Sequence, residues 1–260
     1  IHRNLDLLRQ RIYGIAAGYP DCNDADSLAR DPIHKLLLDR DPMDGQDLGS
    51  QPTLSRFENS VTSKDLFAMA ESLADIVVEH HACRLKNRAR RITIDLDPTD
   101  DPTHGAQQLS FFNAHYHCFC YLPMIGTMQF NSENEKYLFA AVLRPGNAHS
   151  SRGAIGILSR IIPRVHAAFP KARIRVRLDG GFSSPDILDY LDDEGVEYIV
   201  GYASNSVLVS KAKKVMGMMR ALSMISNKTE TMFSEFQYKA RTWHEPRRVV
   251  VKAEVVRFPG

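Results

Sequence analysis

The sequence Ile92-Thr93-Ile94-Asp95-Leu96-Asp97 alternates apolar and polar side chains, which is typical of a strand that buries one face. The alternation places the three aliphatic residues on one face and Asp95 and Asp97 on the other. Two carboxylates that are two residues apart on a strand lie about 7 Å from each other. This stretch therefore predicts both a core strand and an acidic surface beside it.

A second strand pattern, Ile174-Arg175-Val176-Arg177-Leu178-Asp179, ends on an Asp and is followed by Gly180-Gly181. Glycines let a bulky ligand approach the backbone closely. If the two strands are neighbours, Asp97 and Asp179 meet at one edge of a sheet. Paired oxygen ligands suit Mg²⁺ or Mn²⁺, which also bind substrate phosphates. We therefore expect metal-assisted phosphoryl transfer with two ions about 3.5 to 4 Å apart, normally held by a third carboxylate as well.

The order of the surrounding patterns predicts the fold class. Three strands, a helix, a strand, a helix and a strand indicate an α/β protein with a ribonuclease-H-like mixed sheet, whose first strands form a three-stranded meander. The strand-like runs after residues 92–97 lie at about 113–121, 124–130 and 137–143.

Composition divides the chain into three segments. Residues 1–82 form a helical N-terminal region with a candidate helix-turn-helix at Ser50–Asn59, in which Arg56 would contact DNA. Residues 83–203 form the catalytic core, and residues 204–260 add a helix and a β insertion. The chain begins at Ile1 within a helical pattern and stops just after a strand-like run, so we expect a protein cut at both ends and a core that is incomplete.

The overall composition excludes several classes of protein. Of 260 residues, 43% are hydrophobic, and the net charge is +2, which neither demands nor excludes a polyanionic partner. Four cysteines without a signal peptide indicate a reducing cytoplasmic setting, and no apolar run is long enough for a membrane span. We expect a soluble protein that does not contact membranes and uses no small-molecule cofactor.

Several motifs together resemble those of a known family. The chain is similar to bacterial insertion-sequence transposases of the DDE superfamily, specifically the insertion-sequence family numbered thirteen-eighty. This resemblance implies metal-dependent cleavage and strand transfer of DNA, with the element ends and the target as double-stranded partners; it leaves homodimerisation open. The motifs that carry it are Leu8–Gly14, Ser50–Arg56, Asp95–Gly105, Leu143–Asn147 and Arg177–Phe182.

The resemblance assigns roles to particular acids. Asp97 would be the first metal carboxylate and Asp179 the second, while Asp95 and Asp100 lie close enough to compete with Asp97 for the first role. The third carboxylate would follow the pattern Tyr, two residues, Arg, three residues, Glu, which is absent after residue 200. Glu254 is a candidate substitute, although its surroundings are strand-like. The chain is therefore expected to be a fragment that lacks the third carboxylate.

The β insertion mixes aromatic and basic side chains, as surfaces that bind nucleic-acid strands do. The candidate DNA-binding residues there are Lys239, Arg241, Trp243, Arg247 and Arg248. For Trp243 itself, packing in the core is the preferred interpretation.

Two other functions stay open. Asp95-Leu96-Asp97-Pro98-Thr99 also matches haloacid-dehalogenase-like phosphatases, in which Asp95 would be the nucleophile and Asp97 the general acid. Such enzymes have a parallel sheet, whereas a meander follows the motif here. The other alternative is a catalytically dead transposase remnant that still binds DNA.

Overall fold

A computed structural model describes residues 2–258 and divides the chain into two compact units, Ile1–Glu71 and Ser72–Gly260. The sequence placed this boundary at residue 82, whereas the observed boundary falls inside the helix Ser63–Leu85. The reason is that Ala74 and Val78 of this helix pack into the core of the second unit. Among residues 2–258, no helix combines the length and the apolar character that crossing a bilayer requires.

The first unit is helical, as its amphipathic patterns predict. Asp31 caps one helix by accepting a hydrogen bond from the backbone N–H of His34 at 2.8 Å. Gln10 exchanges two hydrogen bonds with the backbone of Gly49, at 2.8 and 2.9 Å, and so ties a loop to the first helix. The helices of this unit are α1 (Asn4–Ala16), α2 (Ala25–Leu28), α3 (Pro32–Leu37) and α4 (Gln51–Asn59), followed by the start of α5 (Ser63–Leu85).

The second unit is built on a five-stranded mixed sheet with the order β6-β5-β1-β7-β8. β1 pairs antiparallel with β5 and parallel with β7, so the prediction of a mixed α/β fold is confirmed. The strands of this sheet are β1 (Arg91–Pro98), β5 (Met124–Phe130), β6 (Tyr137–Val142), β7 (Arg173–Leu178) and β8 (Glu197–Val200).

The strand predicted at residues 113–121 is not part of that sheet. The chain reverses there, because Asn113 accepts hydrogen bonds from the backbone N–H groups of His115 and Tyr116, and His117 adopts a positive φ of 55°. The result is a hairpin in a separate three-stranded sheet of order β2-β4-β3. Its strands are β2 (Asp101–Pro102), β3 (Phe111–Asn113) and β4 (Cys118–Tyr121).

The core of this unit lies between the sheet and the helices α5, α6 (Ala154–Ala168) and α7 (Pro185–Asp193). Ile92 and Ile94 are fully buried and Leu96 nearly so, which is the alternation that the sequence predicted. Apolar residues of α6 repeat at helical spacing and cover them. The buried members from α6 are Ile157, Leu158, Ile161, Ile162 and Val165.

The last part of the unit is α8 (Ser206–Ser226) with the antiparallel hairpin of β9 (Glu230–Tyr238) and β10 (Arg247–Val255). Val215 and Met219 of α8 pack on Ala253 of β10 in a small core of their own. The loop of the hairpin is attached elsewhere, because Trp243 packs with Leu188 of α7.

Candidate active site

Asp97 and Asp179 follow paired positions on adjacent strands. In the parallel pairing of β1 with β7, Leu96 lies opposite Leu178, so the next residue of each strand is one of the two acids. Both side chains line one open cavity of about 710 Å³ at this edge of the sheet. The structure thus brings together the two acids that the sequence singled out.

The Asp97 carboxylate is in an unfavourable electrostatic environment. Burial raises its pKa above the ordinary value, and the negative charges of Asp179 and Asp95 raise it further, against a smaller opposing effect of Lys136. Within residues 2–258, no side chain donates a hydrogen bond to this carboxylate. A cation placed between Asp97 and Asp179 would remove the repulsion between them.

Asp179 is held by the turn that follows it. Its Oδ1 accepts a hydrogen bond from the backbone N–H of Gly181 at 2.8 Å. Glycine is required at position 181, because a Cβ there would lie 2.6 Å from the Cβ of Ser150. The Gly-Gly sequence therefore fixes the direction of the Asp179 side chain and keeps the adjacent backbone tightly packed.

Asp95 lies on the same face but is already neutralised. Nε and Nη2 of Arg177 donate to its two carboxylate oxygens at 2.7 Å each, and Lys136 Nζ lies 3.0 Å from Oδ2. Burial acts to raise the pKa of Asp95, and the bonds from Arg177 and Lys136 outweigh burial, so its pKa is lowered. Of the two acids on β1, Asp97 is the one whose oxygens are free to take a ligand.

Two other candidate acids do not join this pair. Among residues 2–258, no group of three or more His, Cys, Asp or Glu side chains is arranged to hold a metal ion. Glu254 lies on β10, where it accepts a hydrogen bond from Thr231 at 3.0 Å and pairs with Lys252 at 2.9 Å. Asp100 is half-buried, beyond the end of β1.

Sequence reasoning missed three residues that border the acids. Lys136 and Arg177 line the same cavity as Asp97. No motif contains Lys136, and Arg177 begins the motif Arg177–Phe182 but received no role from it. Burial raises the pKa of the Tyr116 hydroxyl, as do the charges of Asp100, Asp97 and Asp179 in turn. Tyr116 also lines a second cavity, of about 530 Å³, which borders Asp179.

The structure corrects two members of the predicted DNA-binding set. Trp243 is only 6% exposed and Arg247 only 8%, so neither side chain is available at the surface. Arg247 instead bonds to Asp189 and Asp192 of α7, with its guanidinium 5.0 Å from the centre of the Trp243 ring. The sequence alone does not distinguish an aromatic side chain that packs on a helix from one that binds a ligand at the surface. The exposed members of the set are Arg56, Lys239, Arg241 and Arg248, the last paired with Glu235.

Three solved structures of transposase complexes are similar to this chain. A pre-cleavage Mos1 transpososome is 12% identical, with a TM-score of 0.28, over 85% of this chain and 67% of that chain. The piggyBac transposase synaptic complex with hairpin DNA is 11% identical, with a TM-score of 0.42, over 96% and 51%. The Mos1 mariner paired end complex with Mn is 12% identical, with a TM-score of 0.28, over 85% and 65%.

The chain therefore spans between 51% and 67% of the length of these proteins. A comparison with curated proteins found no match. The family model described as Transposase DDE domain group 1 matches residues 1–257, which is nearly the whole chain. This chain accordingly belongs to the transposase DDE domain group 1 family.

Proposed function

We propose that this chain is the catalytic body of a DNA transposase that uses Asp97 and Asp179 to hold divalent metal during cleavage and strand transfer. The observation that carries the proposal is the Asp97 carboxylate, which lines the same cavity as Asp179, has a raised pKa and receives no hydrogen bond from the described side chains. Such a pair is costly in the absence of a cation and favourable with one.

The donor set fits Mg²⁺ or Mn²⁺. It consists of carboxylate oxygens at an open cavity, which leaves room for water and for phosphate oxygens. When bound, two such ions supply activation of water or of a 3′-hydroxyl and stabilisation of the leaving oxygen. Arg177 and Lys136 hold Asp95 in ion pairs, so that Asp97 and Asp179 are the acids presented to the ions.

The finer expectations belong to the same proposal. They are membership of the insertion-sequence family numbered thirteen-eighty, a ribonuclease-H-like arrangement of the sheet and its helices, and element ends and target DNA as partners. The need for a third carboxylate to hold both ions stays a prediction, and homodimerisation stays open. Arg56, Lys239, Arg241 and Arg248 remain the candidate DNA contacts from the sequence, since their side chains are exposed.

The phosphatase alternative receives no support from the geometry. Its nucleophile would be Asp95, yet both oxygens of Asp95 accept hydrogen bonds from Arg177. A nucleophilic carboxylate needs a free oxygen directed at the substrate. The strand that carries Asp95 also pairs antiparallel on one side, unlike a parallel phosphatase sheet.

The test is Mn²⁺ binding, followed by electron paramagnetic resonance, together with Mn²⁺-dependent nicking of a supercoiled plasmid. Asp97→Asn and Asp179→Asn are each expected to weaken Mn²⁺ binding by at least about tenfold, the smallest loss usually seen even for changes around metal ligands. Asp193→Asn, at an exposed acid of α7, is the matched control and should bind Mn²⁺ like the wild type.

Other outcomes of these measurements would contradict the proposal or favour an alternative function. Wild-type Mn²⁺ affinity in both the Asp97 and Asp179 variants would overturn the metal assignment. Mn²⁺ binding and DNA binding without nicking would identify the non-catalytic remnant. Hydrolysis of a phosphate monoester that Asp95→Asn abolishes would instead establish the phosphatase.

A further inference from the structure

The positive charge of this protein is concentrated in its last segment. The chain has 33 Lys and Arg against 31 Asp and Glu, and residues 204–260 hold 11 of the former and four of the latter. The rest of the chain therefore has 22 basic and 27 acidic residues. A nearly neutral protein thus carries a strongly basic segment, which the total charge conceals.

Within that segment, helix α8 has the least compensated charge. It contains four basic residues and no Asp or Glu. Lys213, Lys214 and Arg220 are exposed, and within residues 2–258 none of the three side chains has an ion-pair partner. The fourth, Lys211, lies over the ring of Phe236, with Nζ 5.2 Å from its centre. Ordinary solvated helix faces mix both signs of charge, and this one does not.

Helix α8 is held in place by an N-terminal cap and by buried side chains. Asn205 caps its N-terminus by accepting a hydrogen bond from the backbone N–H of Leu208 at 3.0 Å. Leu208, Val215 and Met219 are buried, and the last two pack against the β9–β10 hairpin. With 21 residues, α8 is about 31 Å long. Its basic side chains therefore project from a rigid element rather than from a mobile tail.

The spacing of the basic residues suits a polyanion with regularly spaced charges. Lys213 and Arg220 are seven residues apart, which puts them on the same side of the helix about 10.5 Å from each other. Lys214, the next residue, lies about 100° further around the helix and adds a third exposed cation on the neighbouring side. Three exposed cations on one helix can contact several phosphates of a nucleic-acid backbone.

A lipid surface is the less suitable partner. The exposed apolar residues Val207 and Met218 lie on one side of α8 at helical spacing, but Lys211 and Lys214 fall between them on that same side. Insertion of this side into lipid would bury two ammonium groups without partners, which is costly. A phosphodiester backbone requires no such burial.

We propose that the exposed face of α8 bearing Lys213, Lys214 and Arg220 binds the phosphodiester backbone of duplex DNA. This inference rests on the proposed function and adds to it a DNA-holding surface that lies outside the residues expected from the sequence. Arg247 and Trp243 connect the α8 hairpin module to α7, which packs in the same unit as the strand leading to Asp179. DNA held on α8 would therefore keep a fixed relation to the acids.

The test compares two triple variants of the full chain. Lys213→Ala/Lys214→Ala/Arg220→Ala removes the α8 cations, and Lys64→Ala/Arg90→Ala/Lys171→Ala removes equal charge at exposed positions elsewhere. Binding to a 30-base-pair duplex is measured by fluorescence anisotropy over a range of NaCl concentrations. The α8 variant should lower affinity at least about tenfold at low salt and reduce the slope of log K against log[NaCl] by about 2 to 3, because each lost phosphate contact removes about 0.9.

The control triple should change neither quantity by a comparable amount. An unchanged slope in the α8 variant, or an equal loss in both variants, would overturn the proposal. The proposal would also be overturned if the α8 variant kept its DNA affinity but lost binding to anionic phospholipid vesicles.

Circular dichroism checks that both variants fold. Mn²⁺ binding is measured in parallel. If the α8 variant keeps both Mn²⁺ binding and the wild-type salt slope, the α8 surface alone is refuted. If the wild type does not bind Mn²⁺, the proposed active site is refuted.

Discussion

Asp97 stands out because burial and two neighbouring carboxylates make its negative charge unfavourable unless a cation lies beside it. Burial raises its pKa, and so do the charges of Asp179 and Asp95. An acid whose pKa is higher in the folded state stabilises the fold when protonated, and this contribution is lost as the pH rises through that pKa. At neutral pH the ionised Asp97 therefore destabilises the folded protein relative to a neutral side chain.

We predict that Asp97→Asn raises the melting temperature at pH 7 in the presence of EDTA. Solvent screening limits the gain to less than about 1 kcal/mol, which corresponds to at most about 3 °C in a chain of this size. The difference should disappear near pH 3, where the wild-type carboxyl is protonated too. Differential scanning calorimetry of the wild type, Asp97→Asn and the control Asp193→Asn measures it; a lower melting temperature for Asp97→Asn at pH 7 would contradict the electrostatic account.

At the scale of elements, two adjacent arginines on β10 make opposite kinds of contact. The side chain of Arg247 is 8% exposed and lies against Asp189 and Asp192 of α7. The side chain of Arg248 is 65% exposed and pairs with Glu235 on the neighbouring strand. Loss of a buried cation leaves its partners without compensation, whereas an exposed ion pair contributes little.

We predict that Arg247→Ala lowers the free energy of unfolding by about 2 to 4 kcal/mol, and that Arg248→Ala lowers it by less than about 1 kcal/mol. Urea denaturation measures both changes. Hydrogen exchange should also accelerate in β9 and β10 of the Arg247 variant more than in β1, because Arg247 attaches the hairpin to α7. Equal effects of the two substitutions would show that the bonds to α7 do not hold the hairpin.

At the scale of the whole molecule, a buried neutral histidine makes the fold sensitive to acid. His81 of α5 is 2% exposed, and its ring lies 4.2 Å from that of Phe130 and 4.1 Å from that of Tyr137. Its pKa is lowered to about 4, chiefly by burial and also by the charge of the Arg84 guanidinium, which donates to Nδ1 at 3.0 Å. The unfolded chain has an ordinary histidine pKa of about 6.5.

We predict that the free energy of unfolding falls as the pH is lowered from 6.5 to 4, because His81 binds a proton in the unfolded state but stays neutral in the folded state. The loss attributable to His81 is at most about 3 kcal/mol. Chemical denaturation across this range should give a shallower dependence for His81→Gln, which keeps an acceptor for Arg84. The exposed His166→Gln is the control. An equal pH dependence in all three proteins would exclude His81 as the acid-sensitive group.

The sequence by itself determined the features that depend on local pattern. Alternation predicted the buried face of β1 and the acids on its other face, and the second strand pattern predicted that Asp179 follows the end of β7. Helical spacing predicted α6. These predictions succeed because side-chain direction in a strand or helix follows from residue spacing alone.

Only the tertiary structure decided which acid is free and which cations are buried. Asp95 and Asp97 are equivalent by pattern, and Asp95 is neutralised by Arg177, a residue 82 positions away in the chain. Arg247 and Arg248 are likewise adjacent in sequence. The packing of β10 near α7 buries Arg247 and leaves Arg248 exposed. The protonation and pairing of a charged group depend on the groups that the fold brings within a few ångströms, and sequence spacing does not contain that information.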